Sequence, residues 1–416
     1  MERTHSLGSG LGVITMSGTP NCKLFEEPMS RSRCYLDYNA TAPLHSSARQ
    51  ACIDALDAVG NPSSIHSEGR RSRQIVETAR ESVGALVRAP ADRVVFTSGG
   101  TEGAALALSP TLQSRRGPPG VGRLLLSSTE HAAVLHGHRF PADRVRLIAV
   151  RPDGLLDGDD LAAALEEDAG TPALVAVQAA NNETGVIQPI AEIAAQVHAE
   201  GGLVVCDAVQ AAGRIPFELE ASGADILILS GHKLGGPKGV GAVVLAEGVS
   251  FASPLIGGGG QERGLRSGTE NVPGIAGFGA AAREVLMRAD GPRLLALRER
   301  LERLLQGQHP GIVVFGRDAD RLPNTTCFAL PAARAETLVM ALDMEGVAVS
   351  SGSACSSGKV ASSHVLAAMG DAPHVNAGAL RVSTGPATTE AEVDQFIEAL
   401  GSVMHRMQRR SVPAAA

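Results

Sequence analysis

The chain contains no tryptophan, and only two tyrosines and nine phenylalanines among 416 residues. A core of ordinary density must therefore be filled by Ala, Val, Leu and Ile. No apolar stretch approaches the roughly 20 residues that a helix needs to cross a bilayer, so no membrane partner is expected. Residues 1–30 mix Glu, Lys, Arg, Gly and Ser with no apolar run of leader type, which argues against a secretory signal. The six cysteines (Cys22, Cys34, Cys52, Cys206, Cys327 and Cys355) form no C-x-x-C pair and show no zinc-ligand spacing. They read as free thiols in a reducing, cytoplasmic setting, with no resident metal. Neither sign of charge dominates: 37 basic against 44 acidic residues leave a net −7, which gives no reason to expect nucleic acid as a direct partner.

What is present is 44% hydrophobic and 19% charged, the balance of a soluble globular protein, and 416 residues exceed one ordinary core. Short apolar runs rich in Val, Ile and Leu recur at 93–97, 123–127, 146–150, 173–178, 203–206, 224–229 and 241–245. Segments of helical spacing, such as 67–86 and 189–200, lie between them. Continuous apolar strands alternating with helices predict an α/β domain with a mostly parallel, seven-stranded sheet covered on both faces. After Leu255 come glycine-rich stretches (257–260 and 264–268), helical segments at 272–289, 293–306, 335–345 and 389–409, and strand-like runs at 311–315 and 326–330. That texture predicts a smaller α+β domain. The expected organisation is a flexible extension over 1–30, a large domain over 43–289, and a small domain built from 31–42 and 290–411. Met16 and Met29 are alternative starts. By composition, residues 110–122 read as a surface loop.

The chemistry-bearing residues fall just past the strand ends, where open α/β sheets bind their ligands. Asp207 ends one apolar run, and Lys233, in Ser-Gly-His-Lys-Leu-Gly-Gly-Pro-Lys-Gly-Val-Gly, lies just past the next, 224–229. Pyridoxal phosphate needs such a pair: a carboxylate to keep its pyridine nitrogen protonated and an amine to form a Schiff base. An isolated lysine in a glycine-rich turn would be read as a surface residue. Ser98-Gly-Gly-Thr-Glu102 ends a strand and opens a helix near Glu102, a ready phosphate cradle, although Gly and Thr also begin helices for capping reasons alone. His131 follows a strand and could stack on a pyridine ring and shuttle protons, or simply start a helix. Asn182, in Asn181–Gly185, could bond a ring oxygen or a substrate carboxylate, or belong to a turn. Gln210 lies three residues beyond Asp207 and could reach a phenolic oxygen. Arg381 suits a carboxylate clamp, or an ordinary surface ion pair.

Cys355 stands in Ser350-Ser-Gly-Ser-Ala-Cys-Ser-Ser-Gly358, among small polar residues that no core would choose, whereas Cys206 and Cys327 lie inside apolar strands. A thiol in such a loop is placed for nucleophilic attack and hand-off.

Several stretches together resemble the cysteine desulfurases of the NifS/IscS-like branch, pyridoxal-phosphate enzymes of the class V aminotransferase group with fold type I. They are Tyr-Leu-Asp-Tyr-Asn-Ala-Thr (35–41), Gly-Asn-Pro-Ser-Ser-Ile-His-Ser (60–67), Phe-Thr-Ser-Gly-Gly-Thr-Glu (96–102) and Ala-Asn-Asn-Glu-Thr-Gly-Val-Ile-Gln-Pro-Ile (180–190). Asp-Ala-Val-Gln-Ala-Ala-Gly (207–213), the Lys233 motif, Gly-Gly-Gly-Gln-Glu-Arg-Gly-Leu-Arg-Ser-Gly-Thr-Glu-Asn (258–271) and Ser-Ser-Gly-Ser-Ala-Cys (350–355) complete the set. The resemblance runs from about Tyr35 to Arg409. It implies that Lys233 carries the cofactor, Asp207 partners the ring nitrogen, and His131 is the stacking acid/base. It further implies that Gly100, Thr101, Ser230 and His232 hold the phosphate, and that Asn182 and Gln210 contact the ring. Arg381, Asn39 and Asn182 would bind the substrate carboxylate, and Thr269 would reach the phosphate of the other subunit of a homodimer.

The implied reaction takes sulfur from L-cysteine to Cys355 as a persulfide, releases L-alanine, and passes the sulfur to an acceptor such as an iron–sulfur scaffold protein. Contact with iron or an iron–sulfur cluster at Cys355 would be transient. A selenocysteine lyase or cysteine C–S lyase would share the same fold and pocket. The family's Leu-Glu-Pro after the cysteine loop is replaced here by Lys359-Val-Ala-Ser, and the tail ends soon after the last helix, without the longer scaffold-binding extension of housekeeping members.

Overall fold

The computed structural model describes residues 33–115, 120–168, 170–330, 333–352, 363–370 and 378–411. The expected N-terminal extension and Cys355 lie outside the described residues. All seven apolar runs enter one sheet: β1 Val94–Thr97, β2 Arg123–Ser127, β3 Val145–Ile148, β4 Ala173–Gln178, β5 Leu203–Asp207, β6 Ile226–Ser230 and β7 Gly241–Leu245. Their spatial order is β1-β7-β6-β5-β4-β2-β3. Only β7 runs against its neighbours, pairing antiparallel with β1 and β6, while the other pairs are parallel.

The alternation of side chains across this sheet feeds two apolar layers. Val175 and Val177 of β4 pack on one face with Val204, Leu227 and Leu229. Leu174 and Ala176 point into the other, with Val205, Ile228 and Val243. Helices Ser67–Leu86 and Val272–Leu286 cover the first face through Val76, Val83, Ile275 and Phe278. Helix Gly100–Ala107 covers the second with Ala104, Leu106 and Ala107. At the edge, β3 is only partly covered, and Leu147 is exposed.

The expected surface loop at 110–122 needs correction. Leu112–Ser114 is a strand paired antiparallel with Val249–Phe251, and Leu112 is fully buried. The glycines and prolines of that segment concealed one apolar anchor that packs with Phe251 in the second layer.

A second sheet contains β8 Val313–Val314, β9 Thr325–Ala329, β10 Ser350–Ser351 and β11 Ala379–Ser383, in the antiparallel order β8-β9-β11-β10. Helix Gly291–Gln308 presents Leu294, Leu297, Leu301 and Leu305 at helical spacing to this core, and helix Glu390–Ser411 adds Phe396, Ile397 and Leu400. The early segment Cys34–Tyr35 pairs with Val347–Ala348, and Cys34 and Leu36 are buried in the same core. The chain thus leaves the second core after Leu36, builds the large sheet, and returns.

Gly241 marks a close approach at the sheet edge that carries the site. A Cβ there would lie 2.7 Å from the Gly99 carbonyl carbon and 2.7 Å from the Leu229 carbonyl oxygen. Because both neighbours are backbone, Gly241→Ala should lower unfolding stability by about 1–3 kcal/mol, the usual range for forced overpacking. Urea denaturation of the cofactor-free protein measures it, and a change near zero would show that the β1–β7–β6 edge is looser than described.

Candidate active site

The parallel register brings the strand ends together. Gln178 pairs with Asp207 across β4 and β5, and Gly241 faces both Thr97 and Ser230. The end of β5 therefore delivers Asp207, the end of β6 delivers Ser230 and the turn Gly231–Lys233, and the end of β1 delivers Ser98–Thr101.

Asp207 Oδ1 accepts a hydrogen bond from the Val209 N–H at 2.9 Å. Oδ2 has no hydrogen-bond partner among the described residues. Burial pushes this carboxyl above the usual range, and the Val209 N–H with the neighbouring His131 and Lys233 only partly offsets it. Lys233 Nζ donates to the carbonyls of Asn39 at 2.6 Å and Ala40 at 2.9 Å. Of the two roles weighed for His131, the structure shows the helix start. His131 caps helix Ala132–Leu135, with Nδ1 accepting from the Ala133 N–H at 3.1 Å. The ring lies beside Asp207, whose carboxyl it helps to hold down.

The helix expected to cradle a phosphate begins at Gly100, two residues before the expected start. Glu102 sits in its first turn, accepting from the Ser98 N–H at 2.8 Å and pairing with Arg266 at 3.0 Å. Burial would raise that carboxyl, but Arg266 and Ser98 outweigh it and hold it low. His232 shares a 3.1 Å hydrogen bond with the Thr41 hydroxyl, and burial together with Lys233 pulls it down to about 4, so the ring is neutral. Ser230 is buried at the end of β6.

Thr269 is exposed and lines, with Ser98 and Gly239, a cavity of about 210 Å³. Its loop is anchored by a buried fork between Arg80 and Glu262, at 2.6 and 2.8 Å. Glu262 and Arg263 both adopt positive φ there, 45° and 57°. A larger cavity, about 730 Å³, is lined by Tyr38, Arg214, Lys233, Asn324 and Thr384. Asp207, His131 and Gly100 do not line it, so volume alone would misplace the chemistry.

The expected substrate-binding residues meet where the second sheet abuts the first. Arg381 is buried, not a surface residue: Nη1 donates to the Asn182 carbonyl at 3.0 Å and Nη2 to Asp37 at 2.8 Å, while Nε is buried without a partner. Asn182 makes no side-chain hydrogen bond among the described residues. Asn39 and Gln210 are already engaged. The Asn39 amide donates to Asn182 O and Thr325 Oγ1, and Gln210 bridges Asn39 O and Arg214.

Two acids escaped the sequence reading. Glu130 is completely buried, with Oε1 accepting from the Gln178 N–H at 2.7 Å and Oε2 without a partner. Burial, and after it the charge of Asp207, push it well above the carboxylate range. Glu183 is buried beside Ser363, and burial raises it to about 7 even though Ser363, Arg381 and His131 act to lower it. Both lie in stretches already singled out, Thr-Glu-His and Asn-Asn-Glu, where attention fell on the neighbouring residue.

The four described cysteines, Cys34, Cys52, Cys206 and Cys327, are free thiols. Burial pushes Cys34 up to about 12 and Cys206 well above its usual value, which makes both poor nucleophiles. Among the described residues no cluster of His, Cys, Asp and Glu could hold a metal, and no helix is long and apolar enough to cross a membrane.

A half-buried acid whose Oδ2 has no partner among the described residues, an amine one strand away and a nearby helix start are a donor set that could serve a phosphorylated pyridine aldehyde. The family model for aminotransferase class-V matches residues 34–396. A curated cysteine desulfurase of Cereibacter sphaeroides is 43% identical over 386 residues, covering 91% of this chain and 97% of that protein. This chain belongs to the cysteine desulfurase branch of the class-V aminotransferases. A NifS-like protein of Rickettsia africae is similar in structure, with TM-score 0.80, 32% identity and coverage of 90% of this chain and 99% of its own. SspA, solved in complex with cysteine, matches with TM-score 0.70 and 27% identity over 85% of this chain and 99% of its own. The large, mostly parallel sheet is that of these class-V enzymes.

Glu183 generates a pH signature of its own in this desulfurase fold. Its folded-state value of about 7 exceeds the ordinary carboxylate range, so between about 4.5 and 7 the folded state holds a proton that the unfolded state has lost. Stability supplied by that proton is present below the window and lost as pH rises through it. Glu183→Gln, neutral throughout, should therefore gain stability relative to the parent as pH rises from about 4.5 to 7, then level off. Denaturation at several pH values checks this, and a pH-independent difference would contradict it.

Proposed function

We propose that this desulfurase uses pyridoxal 5'-phosphate to take sulfur from L-cysteine onto Cys355 as a persulfide, releasing L-alanine. The observation that carries the reading is the pairing of Asp207, with its free Oδ2, and Lys233 at the ends of adjacent strands. When bound, the cofactor supplies an electron sink for the substrate Cα and its covalent link to the protein. Asp207 Oδ2 would accept the pyridine N–H, and that positive charge would offset the burial cost that raises the carboxyl. The Gly100 and Thr101 amides, Ser230 and neutral His232 would hold the phosphate, with Asn182 and Gln210 at the ring.

Arg381 Nε, unpartnered beside Asn182, is free to meet the substrate carboxylate, with Asn39 fixing the surrounding backbone. Lys233 Nζ, held by the Asn39 and Ala40 carbonyls, is the base for the Cα proton and returns it. His131 would stack on the ring and exchange the thiol proton of Cys355. The Cys355 thiolate then attacks the substrate sulfur. A sulfur–sulfur bond forms, the carbon–sulfur bond breaks with its electron pair left on carbon, and protonation of that carbon gives alanine. The persulfide passes to an acceptor thiol, such as that of an iron–sulfur scaffold protein.

The second apolar core, which unites Cys34 and Leu36 with residues beyond Leu294, supports a small domain of 31–42 and 290–411 beside a large domain of 43–289. Exposed Thr269, on a loop strained at Glu262 and Arg263 and pinned by Arg80, supports a homodimer in which Thr269 reaches the partner's phosphate. Mixing Lys233→Ala with Thr269→Ala would then restore part of the activity through hybrid dimers.

Borohydride reduction and peptide mapping test the assignment. Label should fall on Lys233 and not on Lys238. Cys355→Ser should retain the visible absorbance change on adding L-cysteine but release alanine only at background rate, because a serine hydroxyl is a poor nucleophile toward sulfur. Turnover of Cys355→Ser near the parent rate would make the chain a lyase that expels sulfur without a protein carrier.

A further inference from the structure

The cavity of about 730 Å³ has the size of a small-molecule site. None of Asp207, His131, Asn182 or Arg381 lines it, so it is separate from the site described above, although Lys233 borders both. Two polar groups in its wall lack the partners that their surroundings call for.

The first is Arg214, half-buried and with no carboxylate at ion-pair distance among the described residues. Its Nη1 donates to the Gln210 carbonyl at 2.8 Å and to Gln210 Oε1 at 2.6 Å. Nη2 has only long contacts, 3.4 Å to the Tyr38 carbonyl and 3.5 Å to that of Lys233. Nε has no hydrogen-bond partner among the described residues. Nε and Nη2 share one edge of the planar guanidinium, and such an edge grips a carboxylate or phosphate with two parallel hydrogen bonds. Burial, and after it the charge of Arg381, pulls Arg214 down to about 10, so the cation is held at a cost that an anion would offset.

The second is Thr384, 2% exposed, whose Oγ1 is buried without a partner. Its backbone is fixed on both sides: the N–H donates to the Asn324 carbonyl at 2.9 Å, and the carbonyl accepts from the Asn324 side-chain amide at 3.0 Å. An unpaired buried hydroxyl is unfavourable unless something meets it. Among the charged groups of the wall, Arg88, Arg214, Arg288 and Lys233 outnumber Glu218 and Asp290, and Glu218 is already paired with Arg88 at 2.9 Å. That balance favours an anion. Phe217 and Leu286 add apolar surface to the same wall.

We propose that this cavity is a second ligand site, for a small molecule that carries a carboxylate or phosphate on an apolar body. The oxyanion lies on the Nε–Nη2 edge of Arg214, the Thr384 hydroxyl meets a polar atom of the same molecule, and the body packs on Phe217 and Leu286. The inference does not depend on Cys355 or on the sulfur acceptor. Because Arg214 also holds Gln210 and touches the Lys233 carbonyl, such a ligand abuts the frame of Lys233 from outside the reaction pocket.

Calorimetric titration of the holoenzyme tests this, with L-alanine present to occupy the substrate site. Benzoate and phenyl phosphate are the probes, and benzamide is the uncharged control. At least one anionic probe should bind saturably at one site per chain, and benzamide about tenfold more weakly or worse, the effect of losing a charge-assisted fork. Preference for benzoate assigns a carboxylate to the natural ligand, and preference for phenyl phosphate a phosphate. Arg214→Gln should weaken binding of the better probe by about tenfold or more. Thr384→Val should weaken it by about threefold or more, yet leave the unfolding stability of the ligand-free protein unchanged or higher, because the hydroxyl it removes has no partner there. Thr384→Ser, which keeps the hydroxyl, should bind like the parent.

Failure of both anionic probes to bind the parent would overturn the proposal, as would benzamide binding equally well. Parent-like binding in Arg214→Gln would also overturn it, since the probe would then sit elsewhere. If Arg214→Gln fails to fold, parent-like binding in Thr384→Val overturns the proposal instead.

Discussion

The backbone carbonyl of Asn39 accepts hydrogen bonds from Lys233 at 2.6 Å and Gln210 at 3.1 Å, while its side chain bonds Asn182 O, Thr325 and Asn324. Asn39 is 1% exposed, so these bonds form where water cannot replace them. A satisfied buried network of this kind specifies geometry strongly, because each member left unpaired would carry a desolvation penalty. It links the end of β6, the turn after β4 and the start of β9. The position of Lys233 relative to Arg381 depends on it, as does the way the two sheets meet.

The electrostatics of the pocket are those of a site waiting for positive charge. Asp207, Glu130 and Glu183 are all raised by burial, and the nearby cations only partly compensate. Burial disfavours the charged form of Glu130 and Asp207 alike, and a cation beside Asp207 would favour its charged form. On the other side, neutral His232 and the start of the Gly100 helix offer hydrogen-bond donors in place of a second cation.

Much of this was legible in the chain. Continuous Val/Ile/Leu runs revealed all seven large-sheet strands, because buried parallel strands need apolar residues on both faces. The Asp207–Lys233 pair was legible because strand ends in such sheets are where chemistry gathers. Other features depended on partners far away in sequence. Leu112 became a strand residue only through Phe251. Asn39 and Gln210, expected at the substrate and the ring, spend their hydrogen bonds on Asn182, Thr325 and Arg214, contacts that no local pattern encodes. Glu130 and Glu183 look like ordinary polar turn residues until burial is known, and burial is set by the whole fold.

The central claim is that sulfur leaves L-cysteine onto Cys355 itself. Peptide mass spectrometry after mixing the holoenzyme with sulfur-labelled L-cysteine, with no acceptor thiol present, tests it directly. The account predicts one labelled sulfur atom added to the peptide containing Cys355 and none on those containing Cys34, Cys52, Cys206 or Cys327. Release of labelled sulfide and alanine over many turnovers, with the Cys355 peptide unmodified throughout, would contradict it.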